Sequence, residues 1–162
     1  MKKRSKTRLG NQYHQGGIDN LLNNVEDRAV VHGVFKDQDS LIKILRDLKE
    51  ADIGLSVVVS GLFDEVAACC NRVGLEKHTI NQSLGRWGRT DLLPPRGILE
   101  INTMCGHGMV TVGLIEEVIE DIKKGECTPE EGGERLFRPC MCGIFNPHRA
   151  AKLLSALAEE GI

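Results

Sequence analysis

Aromatic residues are scarce, at 4% of 162 residues, with one Trp and one Tyr. A chain that reads bases or sugars by stacking needs more platforms than that, so nucleic acid is not an expected partner. An excess of one charge is also missing. Lys and Arg number 21 against 23 Asp and Glu, and the net charge is −2. That balance argues against a nucleic-acid coat and against a polybasic membrane binder. No apolar run approaches the roughly 20 residues a membrane helix needs. No apolar segment of the secretory kind follows Met1, so the expected location is cytoplasmic.

What is present describes a folding chain. Hydrophobic residues make up 41% and charged residues 27%, enough to build a core without disulfide staples. Six cysteines occur in a chain with no export segment. In a reducing compartment these are thiols or metal ligands.

Residues 1–27 read as a flexible basic arm. Lys2, Lys3, Arg4, Lys6 and Arg8 open it, and Asn, Gln and Gly dominate to Asn24. Such an arm suits a neighbouring subunit or an acidic partner. Residues 28–162 read as one α/β domain. Residues 29–35 and 55–59 are strand-like runs, and residues 98–101 give a third. Between them, Leu41, Ile44, Leu45 and Leu48 fall at helical spacing after Asp39 or Ser40, as do Phe63, Val66, Ala67 and Cys70 before Gly74. A third helix carries Ile115, Val118, Ile119 and Ile122 and ends before Gly125. Thr128-Pro129-Glu130-Glu131 is a capping box with Pro at the first helical position, weakened soon after by Gly132 and Gly133. A last helix starts at Asn146-Pro147, buries Ala150, Leu153, Leu154 and Leu157, and closes at Gly161. Alternating strands and helices predict a small, mostly parallel sheet of about three strands with helices on its faces. Ligands then bind beyond the strand ends, where loops 36–39, 60–64 and 104–109 are expected to meet. No internal repeat is evident.

The chemistry concentrates in two short motifs, Cys105-Gly106-His107 and Cys140-Met141-Cys142. Side chains two apart on extended backbone point the same way, and a glycine-rich turn can also converge them. Three thiolates and an imidazole suit a tetrahedral zinc site. Three thiols with an exchangeable fourth partner suit an iron–sulfur cluster. A shared site requires the three sulfurs to lie within about 7 Å of one another. His148, at the second position of the last helix, is a further candidate ligand. Without metal, Cys105 ahead of a helix N-terminus is a candidate catalytic nucleophile with His107 as base. Cys69, Cys70 and Cys127 read as structural or surface thiols. In the 78–97 segment, Arg86, Arg89 and His78 are candidate substrate-binding residues, since arginine forks fit carboxylates and phosphates. The Gly106-His107-Gly108 turn lacks the third glycine of a dinucleotide fingerprint.

These residues define the expectation: a cytoplasmic metalloprotein holding an iron–sulfur cluster or zinc, doing redox or metal-assisted chemistry on a small anionic substrate. Two alternatives stand beside it. One is an accessory module with a structural metal, bound to a larger partner or to a second copy. The other is a metal-free thiol enzyme built on Cys105.

Overall fold

Short apolar runs do not by themselves choose between strand and helix, and among the described residues none of the runs expected as strands forms one. The computed structural model describes residues 11–24 and 31–160. Helix occupies 54% of it and strand none, so the expected α/β fold with a parallel sheet is overturned. Among the described residues seven α-helices follow in order: α1 (Ile18–Asn23), α2 (Gln38–Ala51), α3 (Phe63–Arg72), α4 (Arg96–Asn102), α5 (Val112–Lys123), α6 (Pro129–Phe137) and α7 (Pro147–Glu160). The basic cluster at Lys2–Arg8, the start of the first expected strand and Gly161 lie outside the described residues.

The chain divides into two compact units. The first unit is Met1–Val34 with Asp91–Ile162, and the second is Phe35–Thr90.

The second unit is a pair of helices. Asp37 caps α2 by accepting from the Ser40 N–H at 2.8 Å. Its buried residues are Ile42 and Leu45 of α2 with Cys69 of α3. Cys69, rather than Cys70, is the fully buried thiol of α3. At the other end of α3, Lys49 Nζ donates to the carbonyls of Val73 and Gly74. Residues 55–59 were expected as a buried strand. They carry no regular structure, and Val58 is 88% exposed. Residues 31–35 are likewise irregular. Both runs have β-branched side chains but no partner strand among the described residues, and an unpaired strand leaves its backbone groups unsatisfied.

The first unit is built twice. Residues 94–124 and 129–159 follow one plan at an offset of 35, contrary to the expected absence of a repeat. Each begins at a proline (Pro94, Pro129), runs a short helix, turns at a cysteine, and continues into a longer helix capped six residues later. The third expected strand, 98–101, is the interior of α4, where Ile98 and Ile101 are buried one turn apart. The hydrogen bonds repeat with the plan. Cys105 N donates to Asn102 O as Cys140 N does to Phe137 O. Thr111 and Asn146 cap α5 and α7, accepting from Leu114 N and Arg149 N respectively.

Contacts between the two hairpins are reciprocal, as across a two-fold axis. A Cβ placed on Gly97 would stand 2.5 Å from Leu157 Cδ2, and one on Gly132 would stand 2.7 Å from Val118 and 3.3 Å from Ile122. Leu157 and Ile122 are equivalent positions of the repeat. So are Glu100 and Arg135, whose cross-hairpin ion pairs have exchanged signs: Glu100 meets Arg149, and Arg135 meets Asp121 and Glu117. Gly132 and Gly133 were expected to weaken α6. They are buried instead, because bare backbone lets α6 press on α5 and α7. The capping box at Thr128 and Glu131 is present as the sequence predicts.

Candidate functional site: a three-cysteine group between two matched turns

Both cysteine motifs are one structural device used twice. Gly108 N donates to Cys105 O at 3.0 Å, and Gly143 N to Cys140 O at 3.2 Å. Each glycine takes a positive φ, 66° and 77°, which a side chain would oppose. Five residues after each cysteine, a fully buried apolar residue (Val110, Phe145) anchors the turn in the core and aims its backbone N–H at that cysteine's sulfur.

The turns bring the sulfurs together. Cys140 and Cys142 Sγ lie 3.8 Å apart, and the Cys140 thiol hydrogen-bonds Cys105. Cys140 is in contact with Cys142 and interacts electrostatically with Cys105. Cys105 is 3% exposed, Cys140 is fully buried and Cys142 is half-buried.

Their environments are unequal. Burial pushes the Cys105 thiol up, but the N–H groups of Met109, His107 and Val110, with the Cys140 thiol, outweigh it and hold Cys105 below the ordinary thiol value. Oriented N–H dipoles favour the anion. Burial pushes Cys140 the other way, up to about 11; the Phe145 N–H opposes this and negative charge at Cys105 and Cys142 adds to it. The two turns thus favour the anion at Cys105 and the neutral thiol at Cys140.

The remaining predicted residues are placed as follows. His107 lends its backbone N–H to Cys105, while its side chain is exposed. His148 is exposed on the first turn of α7. Among the described residues, no group of three or more His, Cys, Asp or Glu side chains is arranged to hold a metal ion as it stands. Arg86, Arg89 and His78 are exposed members of the Phe35–Thr90 unit, whereas the three thiols belong to the other. His78 Nδ1 pairs with Thr79 Oγ1 at 3.1 Å. The three loops expected at strand ends follow no strand, and they divide between the units. Cys127 is half-buried, its thiol pushed up by burial and by Asp121 and Glu131.

Two features escaped the sequence reading. A cleft of about 290 Å³ between α4 and α5 is lined by Pro95, Ile98, Ile119, Glu116 and Glu120. Asn11, inside the expected flexible arm, is fully buried against the second cysteine turn. A polar residue in a Gln- and Gly-rich stretch carries no periodic signal that marks it.

Compared with known proteins, the chain matches no family model, no curated protein and no solved structure. No helix among the described residues is long and apolar enough to cross a membrane.

Proposed function

We propose that the duplicated helical unit is a metal–thiolate module, binding zinc or an iron–sulfur cluster through Cys105, Cys140 and Cys142. The observation that carries this reading is the convergence of two matched turns on three thiols. Soft thiolates select such metals over hard cations. Two thiolates on one tetrahedral zinc ion, at about 2.3 Å each, stand about 3.8 Å apart, and the Cys140–Cys142 separation has that value. A cluster takes each thiolate on a separate iron and spreads the pair. His107 occupies the position in the first turn that Cys142 holds in the second, which makes it the leading fourth donor. Because no complete donor set is preformed, binding includes closure of the side chains on the ion.

The module reading is favoured over an enzyme acting on a small anion. Glu116 and Glu120 line the α4–α5 cleft and disfavour an anionic occupant. A metal-free nucleophile at Cys105 has less support, because 3% exposure closes it to a substrate of any size. The module works in the cytoplasm, where thiols stay reduced, and serves a larger partner or a second copy of the chain.

Anaerobic purification followed by elemental analysis tests this. Iron and sulfide with a brown colour absorbing at about 400 nm identify a cluster, and zinc in a colourless sample identifies the single ion. Cys105→Ala, Cys140→Ala and Cys142→Ala are each expected to lose most of the metal, while Cys70→Ala keeps it. Equal metal content in all of these proteins, or none bound after reconstitution with either metal, overturns the proposal.

A further inference from the structure

The geometry points to Asn11 as the positioning residue of the cysteine group, holding the Cys140–Cys142 pair through the backbone that carries it. Helix α6 ends at Phe137, so its last carbonyls lack helical partners. The Asn11 side chain meets the last of them and two carbonyls of the turn beyond it. Its Nδ2 donates to Phe137 O at 3.0 Å, to Arg138 O at 3.4 Å and to Cys140 O at 2.7 Å. Its own N–H donates to Met141 O at 3.1 Å. The carbonyls of Cys140 and of the residue between the two thiols are thus both tied to one side chain and its backbone. Met141 itself reaches no further than the exposed rim, so nothing in its side chain substitutes for this hold.

Asn11 is itself fixed. Tyr13 N donates to Asn11 Oδ1 at 2.9 Å, and Tyr13 Oη donates to Glu134 Oε2 at 2.8 Å. The Tyr13 ring lies edge-on to Phe137 at 5.8 Å, with the Arg138 guanidinium 5.5 Å from its centre. His14 Nε2 donates to Arg138 O at 2.9 Å. Residues 11–14 therefore form a clamp on the end of α6 and the second turn, not a loose tail.

The duplication supplies an internal control. The side-chain and backbone N–H groups of Asn11 go to the second turn, while the equivalent first turn, around Cys105, is closed by its own residues, with Asn102 Nδ2 donating to Val110 O at 2.7 Å. Loss of Asn11 should loosen one cysteine turn and spare its twin. A general loss of stability would loosen both.

The functional meaning of this assignment rests on the thiol group's being the binding site, but its test needs no metal. Iodoacetamide labelling of the full chain, as purified and after chelation, is read cysteine by cysteine by mass spectrometry. Asn11→Ala is expected to speed labelling of Cys140 and Cys142 about tenfold, the factor one buried hydrogen bond supplies, with Cys105 unchanged. Unchanged labelling at Cys140, or an equal rise at Cys105, overturns the assignment. If Asn11→Ala does not fold, the same comparison is read on Asn11→Ser. A wild-type chain that binds no metal sinks the metal–thiolate reading alone and leaves this comparison intact.

Discussion

The duplicated unit and the α2–α3 unit divide the same amino-acid economy very differently. The first closes a continuous core in which Ile101, Val110, Ile115, Leu136, Phe145 and Leu154 are all fully buried. The second buries Ile42, Leu45 and Cys69 and leaves Val57, Val58, Leu62 and Leu84 exposed. Both have amphipathic helices, and each has helices with side-chain caps, Asp37 on α2 and Thr111 and Thr128 on α5 and α6. What separates them is repetition. Two copies of one hairpin give each apolar face a matched face to cover it, whereas a single pair of helices has only itself.

The largest effects should therefore fall in the first unit. Leu154→Ala is expected to cost about 3 kcal/mol, since a sealed site cannot collapse around the void. Leu45→Ala should cost about half that, because its surroundings are few and partly solvated. Thermal unfolding read by calorimetry should show two transitions, with Leu45→Ala lowering only the earlier one. A single transition shifted by both substitutions would break the distinction between the units.

Gly133→Ala comes next. Helix propensity alone predicts a gain of about 1 kcal/mol. The added Cβ, however, meets the Pro147 carbonyl oxygen, which is backbone and cannot swing away. A net loss of about 2 kcal/mol is expected in urea titration. A stabilised variant would show that α6 and α7 are not packed as described.

Thr128→Ala removes one half of the capping box of α6 and is expected to cost about 1 kcal/mol, in the later transition only. The smallest effect is that of acid. Its hydrogen bonds from Thr128 hold the Glu131 carboxyl below its usual range, and those from Ser40 do the same for Asp37. A depressed carboxyl adds stability above its unfolded pKa and loses it as pH falls through the folded one. The later transition should thus move down slightly as pH falls below about 4.5, and the earlier one below about 3.8, toward the folded values beneath them. Glu131→Gln should remove that slope from the later transition alone; a slope that persists there assigns it to other carboxylates.

The sequence made the helices of the first unit legible where apolar spacing was long. Ile115, Val118 and Ile119 mark α5, and Thr128 with Glu131 marks the start of α6. The cysteine pairs stand out in the sequence too, and Cys140 and Cys142 lie 3.8 Å apart at their turn. The α4 helix was not, because four residues with one polar interruption satisfy either period, and only packing against α5 and α7 decides. In the second unit, residues 55–59 carry a strand's composition without a sheet to join. The repeat was hidden by its own divergence. Between 94–124 and 129–159 only Pro94/Pro129, Gly97/Gly132, Cys105/Cys140 and Gly108/Gly143 are identical. What the copies share is where backbone must turn or approach closely, which hydrophobic periodicity does not register.

The clamp at Asn11 sets an order of events in biosynthesis. Asn11 stands 129 residues ahead of the Cys140 carbonyl it caps. At about 5–20 residues per second, it leaves the ribosome roughly ten seconds before its partners exist. The two cysteine turns, by contrast, are each enclosed by neighbours a few residues away, and local pairs close first. The hairpins should form as they are made, and the N-terminal segment should dock last, across the longest loop in the unit. The finished thiol group then depends on the segment made first: a copy that has lost residues 11–14 presents the same cysteines on a turn without that clamp.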